Sequence, residues 1–132
     1  MVRNNQVTTT GGTTVFGASA DAYGIHTEGA GVRVLNNDVT DTNPTGAGSG
    51  LAIAVEQATA SVVEKNRLAN FIPNASYGVK ATSGDDVLVI GNRISGTAFG
   101  VFYDTATGKY RDNLATGVIT PYTGGTDAGN NQ

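Results

Sequence analysis

Six side chains in this sequence have the types needed to handle a sugar or an acidic substrate: His26, Glu28, Glu56, Lys80, Phe102 and Asp104. An imidazole such as His26 can take a proton or contact a hydroxyl near neutral pH. Carboxylates such as Glu28 and Glu56, if held side by side, either raise a pKa or attract a cation. Lys80 supplies a positive charge, and Phe102 an apolar platform. Sugar binding or uronide chemistry needs such a set. His26 is the only histidine and the chain has no cysteine, so a three-histidine metal site, thiol chemistry, disulfides and cysteine-ligated zinc are all excluded. The six residues are scattered over nearly eighty positions, so any joint role depends on the elements that align them.

Those elements are visible as an internal repeat. Five segments share an apolar residue, two further residues, Asn, any residue and a second apolar or small residue. They run from Val2 to Val7, Val34 to Val39, Val63 to Leu68, Val89 to Ile94 and Tyr110 to Ala115. A triplet precedes each of the last four: Tyr23-Gly24-Ile25, Leu51-Ala52-Ile53, Tyr77-Gly78-Val79 and Phe99-Gly100-Val101. From the end of each triplet to the Asn the step is 12, 13, 13 and 12 residues, whereas from Asn to the next triplet it falls from 18 to 14, 11 and 7. One connection is therefore held nearly constant while another varies freely.

Apolar positions alternate around each triplet and each Asn, which predicts short strands, three to a circuit. Stacked circuits pair strands in parallel at ~4.8 Å along the axis. Equivalent residues then form inner rows: Tyr23, Leu51, Tyr77, Phe99; Ile25, Ile53, Val79, Val101; Val34, Val63, Val89, Tyr110; and Val7, Val39, Leu68, Ile94, Ala115. Asn5, Asn37, Asn66, Asn92 and Asn113 form a further row at a sharp turn, where asparagine bonds its neighbours and tolerates left-handed backbone. Gly91 suits the same turn. On the outside, His26, Ala54, Lys80 and Phe102 line up, with Glu28, Glu56, Thr82 and Asp104 two positions on. A competing local reading makes Leu51 to Ile72, which lacks Gly and Pro, an amphipathic helix that would interrupt the repeat.

With these residues in place, the chain resembles the right-handed parallel β-helix repeats of the pectate-lyase-like superfamily, whose members carry an asparagine ladder at a short turn between sheets. The resemblance covers Met1 to about Ala115. It implies an all-β fold, a short single-stranded β-helix of four to five turns over 1–118, with 119–132 as a C-terminal tail or cap. For activity it implies a range, because such folds host lyases, hydrolases, epimerases, phage tailspikes and adhesins. Lyases of this kind hold calcium on acidic residues and use an Arg or Lys base. By resemblance Glu28 and Glu56 match the calcium ligands and Lys80 the base. His26, Lys80, Phe102 and Asp104 would contact substrate.

Two functions are therefore expected. The first is a non-catalytic module of an extracellular, surface or phage protein, structural or binding a polysaccharide or partner. The second is a polysaccharide lyase, glycoside hydrolase or epimerase acting on acidic polysaccharide. The few circuits and the absence of a tight catalytic motif favour the first. The chain begins inside a strand, and a bare solenoid end predicts a fragment of a longer protein or end-to-end homo-oligomerisation. No apolar leader follows Met1, so either export does not use that route or the chain is a mature fragment with a new start Met.

Composition narrows the field further. Charged residues make up 14% against roughly 25% in typical soluble domains, and 19 glycines in 132 residues disfavour helix bundles. The net charge of −3 and the lack of a basic stripe argue against nucleic acid. The longest apolar run, Val87–Ile90, is far too short to span a membrane. Asp41 to Gly46 starts like a calcium loop, but Ala52 stands where its glutamate belongs. Gly46, Gly48 and Gly50 lack a following phosphate-binding helix. Arg67 and Arg93 stack with Asp38 as surface ion pairing. The threonines at 8–10 and 13–14 do not recur in register, so no ice-binding array forms. Asn74-Ala75-Ser76 matches a glycosylation acceptor.

Overall fold

A computed structural model of the chain describes residues 1–12, 15–70 and 76–132. Thr13, Thr14 and the Asn74-Ala75 part of the glycosylation motif lie outside the described residues. Among the described residues there is no helix, and so none long and apolar enough to cross a membrane. The strands follow one another as β1 (Val2–Arg3), β2 (Gln6–Gly11), β3 (Ala22–Glu28), then β4 (Arg33–Leu35), β5 (Asp38–Asn43), β6 (Gly50–Glu56). The same order recurs in β7 (Val62–Glu64), β8 (Arg67–Ala69), β9 (Ser76–Thr82), and in β10 (Val87–Ile90), β11 (Arg93–Ser95), β12 (Phe99–Asp104). It continues with β13 (Gly108–Arg111), β14 (Leu114–Thr116), β15 (Thr120–Thr123) and β16 (Thr126–Asp127). Every third strand joins the same sheet: β1-β4-β7-β10-β13-β16 in the first, β2-β5-β8-β11-β14 in the second, and β3-β6-β9-β12-β15 in the third. Neighbours within each sheet are parallel, and the arrangement fits a parallel β-helix.

The segment with the helical alternative forms β6, β7 and β8 instead as far as Asn70, Phe71 and Ile72 lying outside the described residues. Gly50–Val55 of β6 is buried throughout, so strand pairing on both sides outweighs local helix propensity. Asp41 to Asn43, expected in a loop, extends β5, with Thr42 and Asn43 paired to Thr10 and Gly11 of β2. The residues after Val118 continue the stack: β15 adds to the third sheet beside β12, and β16 to the first beside β13.

The core is made of the rows the repeat specifies. Val34, Val63 and Val89 are each fully buried, as are Val39 and Leu68, and the register matches them circuit to circuit. Beside them runs the asparagine ladder. In each step a side-chain oxygen accepts both the backbone N–H and the side-chain N–H of the asparagine one circuit earlier. Asn66 Oδ1, for example, takes Asn37 N at 2.8 Å and Asn37 Nδ2 at 3.0 Å. The ladder extends one rung past the sequence pattern, because Asn131 Oδ1 accepts Asn113 N and Nδ2, both at 3.1 Å. Left-handed backbone falls one residue before each rung, at Asn4, Asn36, Lys65, Gly91, Asp112 and Asn130, with φ between 53° and 61°.

One inner row is not wholly inside. Tyr23, Leu51, Tyr77 and Phe99 pair in the expected register. The rings of Tyr23, Tyr77 and Phe99, however, are half-buried on the outer face of the third sheet, against outward residues such as His26 and Phe102, whereas Leu51 is buried as expected. The middle residue of each triplet takes the inward place. A Cβ on Gly24 would lie 2.3 Å from Val39 Cγ1, and one on Gly78 would lie 2.5 Å from Ile94 Cγ2. Ala52, the equivalent residue of β6, sits in the core. Two successive inward residues break the period of two, and the aromatic before them swings out.

Candidate functional site

The third sheet's outer face collects all six chemically capable side chains. Pairing puts Glu28 directly opposite Glu56, and His26 opposite Ala54. Further along the stack, Lys80 lies opposite Phe102 and between Ala54 and that residue, while Thr82 lies between Glu56 and Asp104. Two groups result. At one end, His26 Nε2 lies 3.5 Å from Glu56 Oε1 and 4.0 Å from Glu28 Oε1. At the other, Lys80 Nζ pairs with Asp104 Oδ2 at 3.3 Å. Thus Glu28 and Glu56 are brought together with His26, and Lys80 with Asp104.

Each group has its own aromatic rings. The His26 imidazole stacks on Tyr23 with centroids 4.8 Å apart. Tyr77 stacks on Phe99 at 5.0 Å, Phe102 meets both edge-on at 5.4 and 5.2 Å, and Lys80 Nζ lies 5.3 Å from the Tyr77 ring centre. Such stacked, edge-on and cation–π contacts hold ring planes fixed. Beneath them Leu51 and Ala54 are covered, so the face is a plate rather than a slot. The Tyr23 hydroxyl donates to Asp21 Oδ2 at 3.3 Å. Burial first, then the charges of Asp21 and Glu56, push the Tyr23 phenol above its ordinary range.

Phe102 is the platform expected from the repeat; Tyr23, Tyr77 and Phe99, which the repeat places in the core, join that face instead. The signal that could have placed them was the glycine in three of the four triplets, a sign of close backbone approach within a strand. His26, Glu28 and Glu56 offer ligand atoms within 4.8 Å of one another. Calcium takes six to eight oxygens. Two carboxylates fall short of that, and the imidazole at their centre suits softer divalent ions. On the second sheet Arg67 pairs with Asp38, whereas Arg93 makes no ion pair among the described residues.

Comparison with protein-family models, with curated proteins and with solved structures finds no match to this chain.

Proposed function

We propose that this chain is a right-handed parallel β-helix of four to five turns, similar in architecture to the pectate-lyase-like superfamily. It serves as a non-catalytic module of an extracellular, surface or phage protein and binds polysaccharide on the outer face of the third sheet. The observation that carries this reading is the cluster of Tyr77, Phe99 and Phe102, oriented by mutual stacking and bordered by Lys80 and Asp104, with Tyr23 stacked on His26 on the same face. Aromatic rings supply apolar area at little entropic cost, and the polar border supplies hydrogen bonds to hydroxyls. Glu28, Glu56 and Asp104 outnumber Lys80, so the plate favours a neutral glycan, and an acidic one only with a bridging cation.

A melting-temperature screen against neutral and acidic polysaccharides, each with and without calcium, tests this. A ligand at a hundredfold its dissociation constant adds ~2.7 kcal/mol, a rise of roughly 10 °C for a domain this size. Tyr77→Ala should erase that rise. No rise with any polysaccharide overturns the binding reading.

The grouping of Glu28, Glu56 and His26 gives the enzyme alternative its footing. A lyase, hydrolase or epimerase would lose turnover of a polyuronide in the double variant Glu28→Gln, Glu56→Gln. A binding module would instead gain about 0.5 kcal/mol, because facing like charges are removed.

A further inference from the structure

The first sheet carries a second unusual outer face. Its strand β10 reads Val87-Leu88-Val89-Ile90, apolar at every position. Val87 and Val89 are fully buried in the core, whereas Leu88 and Ile90 point away from it and stay half-buried. Apolar residues on both faces of a parallel strand are the pattern of a strand covered on both sides. Register sets Leu88 between Val62 and Lys109, and Ile90 between Glu64 and Arg111.

These residues line a depression. Val62, Leu88 and Lys109 bound a concavity of about 360 Å³, which shares Leu88 and Lys109 with a second of about 240 Å³ reaching Ile90 and Arg111. Gly108 also lines it. The volume lies in the range of small-molecule sites. Its cations gather toward the Ile90 end. Lys109 makes no ion pair among the described residues, and Arg111 meets only the adjacent Asp112, at 3.5 Å. Across the stripe the Glu64 carboxylate is already engaged by Lys65 at 2.9 Å. Asp86 borders the end where β10 begins, away from Arg111.

We propose that this face binds a small amphipathic anion, with its apolar body on Val62, Leu88 and Ile90 and its acidic head held by Lys109 and Arg111. The aliphatic stripe needs an apolar cover, and two cations at its edge select a negative head over a neutral or positive one. The site is on a different sheet from the aromatic plate, so it stands or falls independently of the glycan reading.

Methyl and amide NMR titration of the full chain tests it, with octanoate, octanol and octylamine as probes. Octanoate should give saturable shifts of the Val62, Leu88 and Ile90 methyls, while octanol binds about fivefold more weakly and octylamine more weakly still. Lys109→Gln, an exposed change that leaves the spectrum dispersed, should weaken octanoate about fivefold and leave octanol unchanged. Leu88→Thr should weaken both. Equal affinity for octanoate and octanol overturns the proposal, as does the absence of methyl shifts at 10 mM octanoate or shifts centred on the third sheet.

Discussion

Removing the amide of Asn66 should cost far more than removing any exposed polar group. Its Oδ1 accepts Asn37 N at 2.8 Å and Asn37 Nδ2 at 3.0 Å, and its Nδ2 donates to Asn92 Oδ1 at 2.9 Å and to the Val34 carbonyl at 3.0 Å. The side chain is 1% exposed, so water cannot replace those bonds in place. In Asn66→Ala two buried Asn37 donors lose their acceptor, at about 1–3 kcal/mol each. The Asn92 oxygen still keeps Asn66 N at 2.9 Å. The expected loss is about 4 kcal/mol, read as a drop in urea midpoint by circular dichroism, at constant m. Asn5→Ala is the internal control. Asn5 Nδ2 donates to Asn37 Oδ1 at 2.9 Å and to Arg3 O at 3.1 Å, but Asn5 is exposed, and its backbone N–H still satisfies Asn37 Oδ1 at 3.0 Å. That variant should lose under about 1 kcal/mol. Asn66→Asp adds a sign test. Its carboxylate would face the acceptors Asn92 Oδ1 and Val34 O, so only the protonated form can donate, and the folded pKa rises above the unfolded ~3.9. Its stability is then fully present below pH ~4 and is lost as pH rises through the folded pKa. A loss under about 1 kcal/mol for Asn66→Ala, or one equal to that of Asn5→Ala, would refute the ladder as a source of stability.

Lys65 occupies the left-handed position with φ 55°, where Gly91 stands in the next circuit. Lys65→Gly should therefore raise stability by about 0.5–1 kcal/mol by chemical denaturation, despite the lost contact to Glu64. Gly78→Ala would place a Cβ 2.5 Å from Ile94 Cγ2 and 2.7 Å from the Gly100 carbonyl oxygen, and should cost about 1–3 kcal/mol on the same scale. Burial first, then Tyr110, pushes the Tyr103 phenol upward, and its hydroxyl donates within 3.0 Å of Val87 O and 2.9 Å of Lys109 O. A raised folded pKa means stability that is whole below pH ~10 and falls as pH climbs past it, so the urea midpoint should drop between pH 8 and 11. Tyr103→Phe should shrink that drop.

Most of the fold was legible because the ladder forces it to be. An asparagine whose amide must reach its counterparts above and below can sit at only one place in each circuit, so Asn37, Asn66, Asn92 and Asn113 announce the register. The buried valines and leucines around them then follow from alternation. The last rung, Asn131, escaped because the pattern needs an apolar residue two positions later, and Gln132 is the final residue. The repeat suggests left-handed backbone at the rung, with Gly91 suited to the same turn, and the structure puts it one residue earlier, at Asn4, Asn36 and Gly91, where small turn-formers gather.

The site was legible in register but not in face. Alternation says which residues share a side only while the strand keeps a period of two, and Gly24, Gly78 and Gly100 end that period. Gly24 and Gly78 turn inward where a Cβ would collide with core side chains, and at Gly100 it would strike the Pro121 backbone of the next circuit. The preceding aromatic therefore sits on the outer face beside His26, Lys80 and Phe102 three residues on. The same substitution of glycine for a side chain that lets adjacent circuits close on the core thus builds the outer plate. Core packing and surface recognition are therefore coupled at these positions. Widening the inward residue should displace the rings as well as destabilise the fold. The first-sheet face is the counter-case: no glycine breaks the alternation of β10, so Leu88 and Ile90 are outward exactly as periodicity requires, and their exposure reflects residue choice alone.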